Sequence, residues 1–422
     1  MKEIAKDCKQ NKLGDYFRIK HGWAFKGEFF AESGQYILLT PGNFKQDGGI
    51  KLKETKEKYY LGDYPPEYLL KKGDFLVVMT DLTQNAPILG SPAIITKHHT
   101  FLHNQRLGKI VQLKENEIDK MFLYHLFNSE MVRSQIKASA TGATVKHTAP
   151  ERIYNVEVVI PPLRRQNKIA SILSAYDDLI ENNLRRIKIL EEMAKTIYDE
   201  WFVKFHFPGH EKVRMVESEL GLIPEGWSLN RLDQIVSLQN QGTSAGKHLQ
   251  KLIYLPIDCL PRRSLLVQEI KPWTEAQSSL QLFSKGDIIF GAMRPYFHKV
   301  VVAPFDGVTR RTCFVLRSIK PEYHAFCALT MFQDSTVAFA NSHSQGATIP
   351  YAVWSNAFDG MMVITPTRAL ILRFQDIVEP MLAEIFNTFF RNMVLRQTRD
   401  LLLPRLISGE IDVENLDVKI EE

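Results

Sequence analysis

The chain has 422 residues, 45% apolar and 24% charged, with a formal net charge of +5. That length allows two or three domains with separate cores, and no apolar run approaches the roughly 18 residues of a membrane span. The four cysteines, Cys8, Cys259, Cys313 and Cys327, are far apart and form no CxxC pair, which argues against structural zinc and for a reduced, cytoplasmic protein.

Residues 1–12 are polar, lack an apolar signal segment and read as a frayed start. Short strands are expected at YILLT (36–40), DFLVVMT (74–80), AIIT (93–96) and LGKIVQL (107–113). A helix is expected over Asp119–Lys137, with Phe122, Leu123, Leu126, Phe127 and Val132 on its apolar side. A turn-rich loop, SATGATVKHTAP, covers 139–150, and NVEVVIPP (155–162) is a strand.

From Leu163 to about His206 no Gly or Pro interrupts the chain. Apolar residues recur at Ile169, Leu173, Tyr176, Ile180, Leu184, Ile187, Leu190, Ala194, Ile197 and Trp201. Steps alternating between three and four predict a long amphipathic or coiled-coil helix. About 40 residues at 1.5 Å each span roughly 60 Å. Pro208-Gly209 ends the helix, and residues 211–230 read as a linker.

The order then repeats. KKGDFLVVMT (71–80) is echoed by SKGDIIFGAM (284–293), the helix near 119–137 by one near 321–339, TGATVKH (141–147) by QGATIPY (345–351), and EVVIPP (157–162) by GMMVITP (360–366). A period near 200 residues predicts an internal duplication rather than a solenoid. A second helix follows Pro366, with a seam at Leu370, Phe374, Ile377, Met381, Ile385, Phe389 and Met393. Pro380 inside it should kink or loosen it. The expected fold is α+β: two duplicated mixed α/β globular domains separated by two long, antiparallel, coiled-coil-like helices. The boundaries are 1–162, a spacer helix 163–210, a linker with the second domain 211–365, a distal helix 366–404 and a tail 405–422.

Positive charge lies on the globular blocks: +5 for residues 1–162 and +4 for 231–365, against −1 for 163–230 and −3 for 366–422. Such a split favours nucleic-acid contact through the blocks.

Motifs for chemistry are weak. There is no cofactor-type Gly-rich loop after a strand and no (Asp/Asn)-Pro-Pro-aromatic turn for a methyltransferase. GTSAGKH (242–248) is one residue short of a phosphate loop and has His248 where Ser or Thr should bind magnesium. Asp258 with Glu269 and Lys271, or Asp47 with Glu54 and Lys56, could mimic a metal nuclease. His98, His99 and His103 could supply metal ligands, but read better as histidines flanking a strand. No metal ligand or catalytic residue is assigned.

LRRQNKIASILSAYDDLIENNLRRIKILEEMAKTIYDEWFVKFHFPG after Ile160-Pro161-Pro162, then SELGLIPEGW, then RDLLLPRLISGEI closely resemble the specificity subunits of type I restriction-modification systems. The distal helix departs from the pattern, starting TPTRALILRFQ without a Gln-x-x-Ile like Gln166 to Ile169. The resemblance implies that each block is a target recognition domain for one half of a split DNA site. The helices would set the half-site spacing and dock two methyltransferase subunits, with restriction/translocase subunits joining for cleavage. S-adenosylmethionine, ATP and Mg would belong to those partners, and this chain would have no cofactor and no catalytic role. Candidate DNA contacts are Arg106, Lys146 and His147 in the first block and Arg294, Tyr296, Arg310 and Arg311 in the second. Alternatives from other classes are a protein-binding scaffold on a coiled rod and, more remotely, a metal-dependent nuclease.

Overall fold

A computed structural model describes residues 9–52, 57–98 and 100–413. Cys8, Glu54, Lys56, His99 and the tail beyond residue 413 lie outside the described residues. The chain divides into two compact units: residues 1–180 with 393–422, and residues 181–392. It is mixed α/β with two long helices.

In the first unit a four-stranded antiparallel sheet runs in the order Arg18–His21, Leu107–Val111, Phe75–Val78, Pro92–Ile94. All four residues of Phe75–Val78 are buried. Side chains alternate along a strand, so Phe75 and Val77 join a core with the helices, while Leu76 and Val78 join a second core with Ile37, Leu39 and Phe101. The strand Lys9–Lys12 pairs antiparallel with Glu157–Ile160, which corrects the frayed start expected over residues 1–12 for its last four residues.

The helix expected over 119–137 is two helices, α1 (Lys120–Asn128) and α2 (Glu130–Ala138). Ser129 between them has extended backbone angles, and its Oγ accepts from the Val132 N–H. A serine offering its hydroxyl to a helix start competes with helix continuation. After the one-turn helix α3 (Pro150–Tyr154), α4 runs from Leu163 to Tyr198.

The second unit has the sheet order Val236–Leu238, Cys313–Ser318, Ile288–Gly291, Val300–Val302. Ser228–Arg231 pairs with Met362–Thr365, as Lys9–Lys12 does with Glu157–Ile160. Two nine-residue helices, α5 (His324–Phe332) and α6 (Asp334–Ser342), follow, broken at Gln333. The linker is more ordered than expected: Met215–Ser218 and Gly221–Pro224 form a hairpin.

The helix boundaries also differ from expectation. α4 gives way at Asp199–Val203 to a single wide turn, short of His206. Trp201 and Phe202, consecutive and 9% and 5% exposed, both turn inward there; a wide turn re-phases the helix face so that neighbours can share it. The final helix, α7, runs unbroken from Arg368 to Ile407 through Pro380 and Pro404.

The seams are partly re-phased. Ile169, Leu173, Ile180, Ile187, Leu370, Phe374, Ile385 and Phe389 are buried, and Tyr176 and Met381 are half-buried. Leu184 and Ile377 are exposed at 39% each, against the expected seam. One buried row of α7 runs Ile371, Phe374, Val378, Leu382, Ile385 and Phe389. Those steps average the 3.6 residues of a straight helix, and a step of four from Phe374 reaches buried Val378 where a step of three reaches exposed Ile377. In α4 the face near Leu184 is taken by half-buried Asn183. A pattern built on apolar letters alone passes over a polar seam residue.

Gln166 and Gln375 show how the helices attach. Gln166 is fully buried; its Oε1 accepts from Asp119 N and its amide donates to the Glu117 and Pro161 carbonyls. Gln375 Oε1 accepts from Ala325 N at the start of α5. The Gln-x-x-Ile start is therefore present in α7 as Gln375-x-x-Val378, 209 residues on, one helical stretch later than the sequence pattern was sought.

Candidate nucleic-acid interface

In the first unit Met79, just past the strand Phe75–Val78, gathers the expected contact residues. Met79 N donates to the Arg106 carbonyl (3.0 Å), and Thr148 N donates to the Met79 carbonyl (2.9 Å). Lys146 and His147 pair with Asp81 and Thr80, and Thr80 Oγ1 lies 3.0 Å from His147 Nδ1. Arg106, Lys146 and His147 are thus brought to one end of the sheet. Arg106 and His147 are exposed and Lys146 is half-buried.

The turns carrying them are held from beneath. Asn104 Oδ1 accepts from Arg106 N, and Gln105 N donates to the Trp23 carbonyl. Gly22 is required below this turn, because a Cβ would stand 2.1 Å from the Asn104 carbonyl oxygen. Asp81, 1% exposed, accepts from Thr83 N, Thr83 Oγ1 and Ile88 N and so fixes the following loop. A cavity of about 240 Å³ beside Arg106 is lined by Phe25, Phe30, Leu38, Lys58 and Gln105.

The second unit has the same hydrogen-bond arrangement. Ala292 N donates to the Thr312 carbonyl (3.0 Å), and Ala352 N donates to the Ala292 carbonyl (2.8 Å). Arg294 N donates to the Pro350 carbonyl (2.7 Å), and the Tyr351 hydroxyl donates to the Arg311 carbonyl. Arg294, Tyr296 and Arg311 are therefore on converging loops, and Arg310 ends the strand Gly307–Arg310 beside them. Arg310, Arg311 and Tyr296 are exposed. Arg294 is half-buried, and its Nε has no acceptor among the described residues. Arg294 and His298 bracket the turn Pro295–Phe297 with φ of 52° and 51°. Left-handed backbone costs a residue with a Cβ about 1–2 kcal/mol, and such strain gathers at binding sites.

Sequence reasoning passed over three supports of these loops. Asp81 heads an Asp-x-Thr turn that could have been read. Asn104-Gln105 precede Arg106 in a tight turn. Arg262-Arg263, after Pro261, is an adjacent cation pair that was visible but not placed.

Buried polar groups tie the long helices to each other in the first unit and to a loop in the second. In the first unit Arg399 of α7, 12% exposed at its side chain, pairs with Asp177 of α4 (2.5 Å), with Asp47 at 3.9 Å. Burial raises the Asp177 pKa above the usual carboxylate range, with Arg399 opposing it. In the second unit Glu191, 6% exposed, accepts from Ser264 Oγ, Leu265 N and Leu266 N; burial raises its pKa against those bonds.

The nuclease residues are otherwise engaged: the Lys271 ammonium pairs with Glu275 at 2.7 Å. His103 is buried against the Leu107 carbonyl, and His98 Nδ1 faces Lys72 N. Among the described residues no three His, Cys, Asp or Glu side chains cluster to hold a metal ion. Gly242–Thr243 of GTSAGKH is a strand paired with Leu280–Gln281, not a loop opening a long helix. No helix among the described residues is long and apolar enough to cross a membrane.

The family model for the type I restriction modification DNA specificity domain matches residues 5–192. The chain is 27% identical over 347 residues to the type I restriction enzyme MjaIX specificity subunit of Methanocaldococcus jannaschii, covering 79% of this chain and 78% of that one. It is 22% identical over 368 residues to the HindI specificity subunit of Haemophilus influenzae, covering 72% and 80%. The solved structure of the type I restriction-modification S subunit from M. genitalium matches with a TM-score of 0.57 at 15% identity, over 96% of this chain and 98% of that one; that is a likeness of fold. The chain thus carries a type I restriction modification DNA specificity domain over residues 5–192 and is similar over most of its length to specificity subunits of type I restriction enzymes.

Proposed function

We propose that the chain carries two duplicated target recognition domains, each reading one half of a bipartite, asymmetric double-stranded DNA site. α4 and α7 pack antiparallel as the spacer between half-sites and dock two methyltransferase subunits, with restriction/translocase subunits completing a cytoplasmic complex. S-adenosylmethionine, ATP and Mg serve those partners. The observation that carries this reading is the paired gathering of cations. The Met79–Arg106–Thr148 and Ala292–Thr312–Ala352 hydrogen bonds each set exposed cationic side chains at one end of a sheet. Lys and Arg there supply phosphate affinity, while side chains in the loops read base edges. The loops differ between units, Thr80-Asp81-Leu82 against Arg294-Pro295-Tyr296, so the half-sites differ and the target lacks dyad symmetry.

The test is binding of the complex with its methyltransferase subunits to genomic DNA fragments across a salt series. If each unit neutralises about four phosphates, log affinity falls against log salt with a slope near −7. A flat salt dependence contradicts direct DNA binding and favours the protein-scaffold alternative.

A further inference from the structure

We propose that Arg262 is a further DNA-reading side chain of the second unit, directed at the major-groove edge of a guanine and held ready on the ring of Phe297. The proposal rests on the reading of this unit as a DNA-recognition domain and adds a residue and a base class to it.

The guanidinium carbon of Arg262 lies 4.0 Å from the Phe297 ring centroid. Arg262 is exposed and makes no ion pair among the described residues. Phe297 packs against Tyr296 at 4.7 Å between centroids, and Tyr296 is 51% exposed. A row of exposed phenol, half-buried phenyl and exposed guanidinium thus crowns the Pro295–Phe297 turn.

Two tied loops hold this row. Arg263 N donates to the His298 carbonyl (2.9 Å), joining the 262–266 segment to the turn. Asp334, at the start of α6, accepts from His298 Nδ1 (3.1 Å) and pairs with the Arg263 guanidinium (2.9 Å). Glu191 fixes the next three residues, Ser264 to Leu266. Arg263, Arg294 and His298 all have φ near +50°. Three left-handed residues with side chains in two interlocked loops are costly, and they persist only where the surroundings over-determine them.

A phosphate can be met by a lysine's point charge as well as by a guanidinium fork, so a preset plane is not required there. A guanidinium stacked on a ring has its plane set before binding, which suits the two parallel hydrogen bonds to guanine O6 and N7. Arg263 is spent on Asp334, and Arg262 is left free with its plane fixed.

The experiment uses the chain assembled with its methyltransferase subunits, mapping the methylated motif and measuring affinity for duplexes substituted at each base pair. Arg262→Lys keeps the charge and loses the fork. It should relax one G·C position of one half-site about tenfold or more, leaving the other half-site and the salt slope unchanged. Phe297→Leu should relax the same position less. Asp334→Asn, which loosens the support, should also act at that position alone, and Arg262→Ala should melt at the wild-type temperature. If Arg262→Ala instead weakens all sequences equally and lowers the salt slope by about one, Arg262 is a phosphate contact and base reading is overturned. An unchanged motif and affinity place it outside the interface. A wild-type complex with no motif of its own defeats the underlying reading, and this proposal with it.

Discussion

The side-chain amide of Asn183 in α4 donates to Asn392 Oδ1 in α7 at 2.8 Å. Asn392 stands 209 residues after Asn183, the offset that separates Gln375 from Gln166, Val378 from Ile169 and Leu382 from Leu173. Asn183 and Asn392 are thus equivalent residues of the two helices that meet each other. Asn392 is 2% exposed and its Nδ2 has no partner among the described residues. Asn183→Leu strands the Asn392 amide completely and should cost about 1–3 kcal/mol. Replacing both by Leu removes the unpaired group and should recover that loss, at the expense of a fixed helix register. Urea unfolding of the two variants checks this; equal midpoints for Asn183→Leu and wild type would count against it.

Arg399 and Asp177 form the corresponding joint in the first unit. Breaking a fully buried pair costs 3–5 kcal/mol; with 12% and 29% exposure at the two side chains, Arg399→Met should cost about 2 kcal/mol. Arg399→Lys should recover only part, because the same guanidinium also holds Asp400 at 2.9 Å and an ammonium has no fork. Hydrogen exchange should speed up in residues 163–180 of the variant. Unchanged exchange there would show that the pair is not a structural joint.

Acid should loosen the first unit before the second. Burial pushes the His103 pKa down to about 4 and His125 to about 3, with Lys109 and Arg399 respectively adding to it. In the unfolded chain both titrate near 6.5. Below that value the unfolded state binds protons that the native state refuses, so stability falls as pH drops from about 6.5 towards 4. The slope is at most about 1.4 kcal/mol per pH unit for each histidine. In the second unit burial also lowers the His298 pKa, with Arg263 adding to it, but His324 behaves oppositely. Burial would lower its pKa, but Glu379 and the Gly286 carbonyl outweigh it and raise it. Its contribution is full below 6.5 and is lost as pH rises through the raised value. Hydrogen exchange at pH 7 and 5.5 should show protection falling first around strands 75–78 and 107–111. A native-state titration of His103 or His125 near 6.5 would contradict this.

Much of this was legible in the sequence. FLVV and YILL are short, β-branched or apolar runs bounded by turns, which fit a buried sheet, and the paired GAT turns located both loop clusters. Three things were not. Ser129 and Gln333 take up extended backbone between helices where the helical apolar pattern continues on both sides of the break. The α7 face steps by four from Phe374, which buries Val378 and exposes Ile377, and the apolar letters at 377 and 378 do not tell the two apart. The convergence of Arg106 with His147, and of Arg294 with Arg311, depends on long-range strand pairing that no local spacing reveals.

The spacer role predicts where the helices tolerate lengthening. Glu191 is locked to Leu265 and Leu266, so an insertion beside it would break the joint. Seven residues added after Glu181, matched by seven after Met393, keep each seam nearly in phase and add about 10.5 Å, close to three base-pair steps. The mapped motif should keep both half-sites and gain about three spacer positions. Altered half-sites with an unchanged spacer would refute the ruler.

The most direct test of the account is the methylated motif mapped in host DNA with this chain present, absent, or carrying Arg294→Ala with Arg311→Ala. The account predicts a bipartite, asymmetric motif that vanishes without the chain, and in the double variant loses specificity in one half-site while the other stays intact. A motif that persists without the chain, or a variant that degrades both halves together, would contradict it.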